Sequence, residues 1–327
     1  THIHSDYNLF YTGYEEPYDG RSVDQWQSSY KRDQHSIMHQ VDFVSDTNLH
    51  AEDPYLNRGG MPLAEVTTDI DGDARDSQYP DIGADEFAYP DPLSGNYIID
   101  PASGDFVSFS EAVDTLIKCG VNGDVVFEVA DGTYNDQVEI TEVPMASESN
   151  TITFRSQSAD STLVNLAYEA NPTKPYTVKL NGADYITFQD MTLSATNDSL
   201  SRVVQLVGGA THNTLANNVI KAKGDKGGLI YSTNDPDSCN AIKNNYLEGG
   251  QFGVYFEHDG SIADEMDNKF RNNRIMNTKS AGIFTQHQSG MEIYRNRIIK
   301  TTPEQNDWAG IWLENHSGEN LIANNMI

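Results

Sequence analysis

Hydrophobic and polar positions recur in the C-terminal half of the chain at intervals of 23 to 29 residues. Five eight-residue segments place an apolar residue third, an asparagine sixth and an apolar residue eighth, as in NTLANNVI at 213–220 and NAIKNNYL at 240–247. The asparagines are Asn218, Asn245, Asn273, Asn296 and Asn325. Such a repeat is typical of a solenoid, in which each unit buries its apolar face by stacking on its neighbours.

Each repeat also contains a short run led by glycine, at Gly228, Gly253, Gly282 and Gly310. The residues one and three places after the glycine are mostly apolar, which predicts a strand with one buried face. No helical segment separates these runs, so a sheet of alternating strands and helices is disfavoured. We predict an all-β parallel β-helix in which asparagines take the left-handed bends and stack their amides.

The start of this solenoid is marked by a helical pattern at residues 109–118, which Cys119 and Gly120 end. The apolar residues recur at helical spacing and are Phe109, Ala112, Val113, Leu116 and Ile117. We expect this amphipathic helix to cover the open end of the first rung, which otherwise exposes strand edges and core. Residues 89–95 are a proline-rich linker, so we divide the chain into residues 1–88 and 96–327.

Residues 310–327, GIWLENHSGENLIANNMI, resemble the repeats of right-handed parallel β-helix proteins, which include CASH-type domains and pectin-degrading enzymes. The resemblance covers roughly residues 95–327 and implies a right-handed solenoid. Residues 5–11 resemble a late rung of another β-helix, and residues 66–75 with 80–87 resemble a closing segment of such a domain. We therefore expect an interior piece of a longer protein with consecutive β-helices.

The opening of the second unit resembles the N-terminal cap of large bacterial surface β-helix proteins. This resemblance implies a noncatalytic extracellular or cell-surface segment, structural or adhesive, exported by a type IX-like route. Its expected partner is a polysaccharide or a protein of the cell surface or secretion machinery.

The chain carries 49 acidic and 21 basic residues, a net charge of −28. Residues 1–95 hold 19 of the acids against five bases, which makes this segment the more acidic one. A surface this negative repels phosphate backbones and anionic lipids, so nucleic-acid binding is disfavoured, and no apolar run predicts membrane insertion in this segment. Divalent cations, basic partners and neutral glycans remain, while Cys119 and Cys239 allow one disulfide at most.

The strand alternation predicts an outward-facing column on the solenoid surface, formed by Ile230, Tyr255, Phe284 and Trp312. The next outward row is Ser232, Glu257, Gln286 and Glu314, with His258 and His287 in the adjoining column. Aromatic faces beside carboxylates and amides suit sugar rings, so we predict a ligand-binding surface here. The alternative is that the loops at 232–240 and 257–268 fold over these aromatic residues and bury them.

Catalysis is a second hypothesis for the same surface. Glu257 and Glu314 flank Gln286 two rungs apart, about 9.6 Å, near the separation of paired carboxylates in glycoside hydrolases. A polysaccharide lyase or hydrolase is therefore the alternative function. The catalytic patterns of polygalacturonases and pectate lyases are missing from the sequence, so no catalytic residue is assigned.

Calcium is the one cofactor for which the sequence offers ligands. Asp69, Asp71 and Asp73 alternate around Gly72, and Asp76 follows. Calcium takes six to eight oxygen ligands, and alternating carboxylates on a glycine bend supply several of them. The alternative is a closing loop whose carboxylates cap backbone amides and pair with Arg75.

Overall fold

The computed structural model describes residues 5–10, 21, 23–41, 43–45, 48, 50, 51, 53–233, 235–258, 260, 264–301 and 307–327. The chain divides into two compact units, Thr1–Pro92 and Leu93–Ile327. Among the described residues, neither helix is long and apolar enough to cross a membrane. Both Cys119 and Cys239 are free thiols.

The first unit has little regular structure in its described part. Strand β1 (Leu9–Phe10) pairs in parallel with β2 (Ile37–Met38), and helix α1 (Val23–Tyr30) lies between them in the sequence. The unit has a small core of its own, formed by Ala51, Leu56 and Ile82 with four partly buried apolar neighbours. The helix is an addition to the sequence prediction, which expected strands alone.

The second unit is a coil of short strands, and its described part contains one helix, α2 (Phe109–Cys119). Its strands are β3 (Leu93–Ile99), β4 (Val121–Val129), β5 (Gly132–Asn135), β6 (Val138–Thr141), β7 (Ile152–Ser156), β8 (Val164–Tyr168), β9 (Val178–Asn181), β10 (Ile186–Gln189), β11 (Thr192–Ala195), β12 (Val204–Val207), β13 (Thr214–Ala216), β14 (Val219–Ala222), β15 (Gly228–Thr233), β16 (Ala241–Lys243), β17 (Tyr246–Glu248), β18 (Phe252–Glu257), β19 (Glu265–Met266), β20 (Lys269–Arg271), β21 (Arg274–Met276), β22 (Ala281–Gln286), β23 (Gln288–Ser289), β24 (Glu292–Tyr294), β25 (Arg297–Ile299), β26 (Ala309–Glu314) and β27 (Leu321–Ala323).

Within the described part of the chain these strands form three long parallel sheets, and β19 and β23 form a separate two-stranded parallel sheet. The first sheet has nine strands, in the order β27-β24-β20-β16-β13-β10-β7-β4-β3. The second sheet is β25-β21-β17-β14-β11-β8-β5, and the third is β26-β22-β18-β15-β12-β9-β6. Successive strands along the chain visit different sheets and each rung stacks on the one before, so the predicted all-β, right-handed parallel β-helix is confirmed.

The predicted apolar columns are the core of this solenoid. Leu215, Ile242, Phe270 and Ile293 pair successively along the first sheet and are at most 3% exposed. The last members of the two columns, Ile322 and Ile327, are 43% and 67% exposed.

The asparagine column forms a buried hydrogen-bonded ladder, as expected. In each rung the side-chain oxygen accepts the backbone N–H of the preceding ladder asparagine, at 2.9 Å from Asn218 to Asn245 and 3.0 Å from Asn245 to Asn273. The side-chain nitrogen donates to a backbone carbonyl of the preceding rung. The left-handed bend lies one residue earlier than predicted, where φ is 55–58° in every rung, so the ladder side chains stabilise bends that their neighbours make.

A second ladder runs beside the first and was not predicted. Asn213, Asn240 and Asn268 are at most 3% exposed and pass the same side-chain to backbone hydrogen bonds from rung to rung. Its sequence signal is the asparagine that begins most of the eight-residue segments.

Helix α2 covers the first rung of the solenoid, as predicted. Ser108 caps its N-terminus by accepting the backbone N–H of Glu111, and Gly120 ends it with a φ of 67°. The ring of Phe109 packs against Tyr134 and Phe154, with centroids 5.3 and 6.0 Å apart. The helix therefore closes the apolar end of the core.

Candidate functional site

Four aromatic side chains form one outward-facing column on the third sheet. The pairing of β15, β18, β22 and β26 aligns Tyr231, Tyr255, Phe284 and Trp312. Neighbouring ring centroids are 5.0, 4.8 and 5.4 Å apart along this column. The structure thus brings together three of the predicted residues and adds Tyr231. We call these four residues the aromatic column.

The prediction that Ile230 is the first member of the outward-facing column was wrong. Gly228 pairs with Phe252 rather than with Gly253, so β15 is shifted by one residue from the glycine alignment. Because side chains alternate between the two faces of a strand, this shift turns Ile230 and Ser232 inward, and both are fully buried. Aligning Tyr231 with Tyr255 would have found the correct register.

The aromatic column is partly buried, and its accessibility varies along its length. Phe284 is 6% exposed and packs in a small cluster with Phe252 and Ala281, whereas Trp312 is 41% exposed. Beside Tyr231 and Tyr255 lies an open groove of about 510 Å³ that is also lined by Pro172, Pro175 and Arg202. The guanidinium of Arg202 lies 3.8 Å from the centroid of the Tyr231 ring. Because Arg202 and the neighbouring rings cover the faces of Tyr231 and Tyr255, the groove presents ring edges and a cationic donor.

A polar row follows the aromatic column, one outward position further along each strand. Glu257 accepts a 2.6 Å hydrogen bond from the Tyr255 hydroxyl, and Glu314 accepts a 2.9 Å bond from the indole N–H of Trp312. Gln286 pairs with Glu314 in the sheet register. Burial and the bond to Glu257 raise the pKa of Tyr255, so its hydroxyl stays protonated. Each carboxylate thus orients the aromatic ring of its own rung.

The two predicted histidines do not form an equivalent column. The side chain of His258 is fully buried, its Nδ1 accepts the Gly260 N–H at 3.0 Å, and its Nε2 has no hydrogen-bond partner among the described residues. His287 remains partly exposed, with Nδ1 3.5 Å from Asp264. The left-handed φ of 52° at His287 gives its side chain a different direction.

A buried pair of acids, Asp237 and Glu265, lies behind β15 and was not predicted. The Ser232 hydroxyl lies 2.7 Å from Oδ2 of Asp237 and 3.0 Å from Oε1 of Glu265, and both acids are fully buried. The side chains of Gln288 and Asn268 donate to Glu265. Burial raises the pKa of Asp237 to about 7 and that of Glu265 to about 8. This cluster holds a proton near neutral pH.

Three of the four predicted calcium ligands, Asp69, Asp71 and Asp76, contact different partners. Asp69 accepts the backbone N–H groups of Asp71 and Asp73 through Oδ1, and Asp76 accepts those of Gln78 and Tyr79. These backbone bonds lower the pKa of Asp76.

Asp71 instead bonds the imidazole of His50, and this bond together with the charge of Asp85 raises the pKa of that histidine. Arg75 pairs with Glu86 rather than with the loop aspartates. Calcium binding by Asp69, Asp71, Asp73 and Asp76 stays a prediction.

Groups that could chelate a metal are scarce in the solenoid. Within the described residues of Leu93–Ile327, no three His, Cys, Asp or Glu side chains place their ligand atoms within 4.8 Å of one another. Cys119 is the buried last residue of the capping helix, and burial raises the pKa of its thiol and that of Cys239.

Solved structures with some likeness to the chain include two pectin methylesterases and a third protein. Pectin methylesterase from Aspergillus niger is 14% identical with a TM-score of 0.39, over 71% of this chain and 88% of that one. The Escherichia coli protein YbhC is 11% identical with a TM-score of 0.38, over 72% of this chain and 88% of that one. Rice weevil pectin methyl esterase is 9% identical with a TM-score of 0.40, over 71% of this chain and 91% of that one. No curated protein matches the sequence.

The family comparison is more specific. The model of the family described as "Periplasmic copper-binding protein (NosD)" matches residues 117–327, which is more than half of the chain and nearly all of the rungs of the solenoid. This protein therefore belongs to the NosD family.

Proposed function

We propose that the solenoid is a noncatalytic binding segment that works outside the cytoplasm and holds a polysaccharide along the aromatic column. The observation that carries this proposal is the in-register alignment of Tyr231, Tyr255, Phe284 and Trp312 beside a row of carboxylates and amides. The exposed ring of Trp312 can stack on a sugar residue, the edges of the other rings lie along the same surface, and the polar row accepts hydrogen bonds from sugar hydroxyl groups. The periplasmic description of the family supports a location outside the cytoplasm.

The finer assignment is an adhesin or stalk segment of a large bacterial surface protein, exported by a type IX-like route. It rests on the sequence resemblance to such multi-solenoid proteins. The strongly acidic surface favours neutral glycans or basic protein surfaces as partners over anionic ones.

Copper chemistry is not part of this proposal, although the family description names the metal. Copper prefers imidazole and sulfur ligands in a compact set. In the described portion of residues 117–327, no group of three His, Cys, Asp or Glu side chains converges, and the buried Nε2 of His258 stands alone. The described residues of the matched segment therefore do not fit a copper centre of this kind.

The binding proposal predicts that Trp312→Ala weakens glycan binding about tenfold, because a ring stacked on a sugar contributes about 1–2 kcal/mol. A panel of soluble neutral polysaccharides would be screened by affinity electrophoresis, and the best ligand measured by calorimetry. Tyr294→Ala is the matched control, since this aromatic side chain faces outward on the first sheet. Equal loss in both variants, or no ligand in the panel, would contradict the proposal.

The alternative is a polysaccharide lyase or hydrolase that uses the same surface. Glu257 and Glu314 flank Gln286 in the polar row, which is the observation in its favour. An enzyme would release new chain ends from the bound polysaccharide, and Glu257→Gln would abolish that release while leaving binding intact. Binding without detectable release by the wild-type chain supports the noncatalytic function.

A further inference from the structure

Three side chains of types that commonly ligate metals lie close together in the first unit, outside the segment that the family model matches. Nε2 of His50 bonds Oδ2 of Asp71 and lies 3.9 Å from Oδ1 of Asp85, and the three ligand atoms all lie within 4.8 Å of one another. They come from separate stretches of the chain and line one open pocket beside Phe43 and Phe87. Asp85 is the most buried of the three, with 18% of its side chain exposed.

The hydrogen bonds of His50 determine which of its nitrogens carries a proton. Oδ1 of Asn48 accepts the backbone N–H of His50 at 3.1 Å and is also bonded to Nδ1 of the same ring. An oxygen that accepts a backbone N–H has no proton to give, so Nδ1 must be the donor. Nε2 then faces the carboxylates of Asp71 and Asp85, so a positive charge at this place, carried either by a second proton on Nε2 or by a metal ion, satisfies all three groups.

The surrounding loop holds this arrangement in place. Asp69 accepts the backbone N–H groups of Asp71 and Asp73, at 2.9 and 2.8 Å, and thereby orients the turn that presents Asp71. Because a second Asp69 oxygen accepts the N–H of Glu86, that carboxylate is fully engaged with backbone. Asp69 is therefore a positioning residue, and Asn48 orients the imidazole as outer partners of metal-bound histidines do.

We propose that His50, Asp71 and Asp85 bind a divalent transition-metal ion of the zinc class, with water completing the coordination. One imidazole nitrogen and two carboxylate oxygens are a normal donor set for such an ion, which binds them at about 2.0–2.2 Å. Calcium instead takes six to eight oxygens and has little affinity for imidazole. The site thus shares only Asp71 with the calcium loop that the sequence predicts, and it favours a different metal.

The test is a titration of the whole chain with Zn²⁺, Co²⁺ and Ca²⁺ at about 0.15 M salt, which screens diffuse attraction to the acidic surface. Calorimetry should show one Zn²⁺ site, and Co²⁺ should give a visible spectrum distinct from that of the aqueous ion. His50→Gln and Asp71→Asn should each weaken Zn²⁺ binding about tenfold or more. Asp73→Asn removes the same charge from the same loop and should leave the Zn²⁺ affinity unchanged.

A urea unfolding midpoint measured for each variant without metal separates lost binding from lost folding. His50 and Asp71 are both about half exposed, so these midpoints should equal that of the wild type. A tighter site for Ca²⁺ than for Zn²⁺, or equal weakening by Asp73→Asn and Asp71→Asn, would overturn the proposal.

Discussion

Asn273→Ala is expected to lower the free energy of unfolding of the solenoid by about 3–5 kcal/mol. The Asn273 side chain is 1% exposed, accepts the backbone N–H of Asn245 at 3.0 Å and donates to the Ile242 carbonyl at 2.8 Å. Alanine leaves this N–H and this carbonyl buried without partners, and each unsatisfied group costs about 1–3 kcal/mol. Urea unfolding followed by circular dichroism measures the difference.

The matched control for this ladder prediction is Asn325→Ala in the last rung. Asn325 makes the same two bonds, to the Asn296 N–H and the Ile293 carbonyl, but it is only partly buried. Water can replace its side chain, so the loss should be less than half of that for Asn273→Ala. Similar losses at both positions would show that the ladder contributes through its shape rather than through buried hydrogen bonds.

Asp237→Asn is expected to stabilise the protein at pH 8 and to flatten the pH dependence of its stability. Burial raises the folded pKa of Asp237 to about 7 and that of Glu265 to about 8, above the unfolded values of about 4. At pH values between the unfolded and the folded pKa values, the folded state binds protons that the unfolded state has lost. The wild-type free energy of unfolding should therefore fall as the pH rises from about 5 to 8.

The hydrogen-bond geometry explains why asparagine fits at position 237. The Ser232 hydroxyl has one hydrogen but lies 2.7 Å from an oxygen of Asp237 and 3.0 Å from an oxygen of Glu265. If Asp237 carries a proton, it can donate to the Ser232 oxygen while the Ser232 hydroxyl donates to Glu265. An asparagine nitrogen at the place of Oδ2 would donate to Ser232, which then donates to Glu265. Its oxygen would still accept the Ala210 N–H, as Oδ1 does at 2.7 Å.

Asp237→Asn should gain on the order of 2–4 kcal/mol at pH 8 relative to the wild type and little at pH 5. Urea unfolding at a series of pH values gives the slope. Asp235→Asn is the control, because Asp235 is a partly exposed neighbour and its oxygen accepts the Gly208 N–H, which asparagine can also do. An unchanged slope in Asp237→Asn, or an equal change in Asp235→Asn, would show that the buried pair does not hold the proton.

The fold was predictable because each rung repeats the same pattern of apolar residues and asparagine. Alternating apolar residues identify strands locally, and their recurrence identifies the stacking, so the columns through Leu215 and Ile220 follow from the sequence. The capping helix was also predictable from the helical spacing of its apolar residues and from the glycine that ends it. The candidate site could be predicted only in part. The alignment of Tyr231 with Tyr255 was the one feature of the sequence that indicated the register of β15.

The sequence by itself determined the solenoid, its asparagine ladder, its helical cap and three of the four aromatic residues on the third sheet. Only the tertiary structure decided that Ile230 and Ser232 face inward, that Asp237 and Glu265 meet across 28 residues, and that His50 joins Asp71 and Asp85. The physical reason is that periodic apolar patterns encode burial residue by residue. Contacts between polar side chains in loops carry no period and arise only when the backbone brings distant segments together.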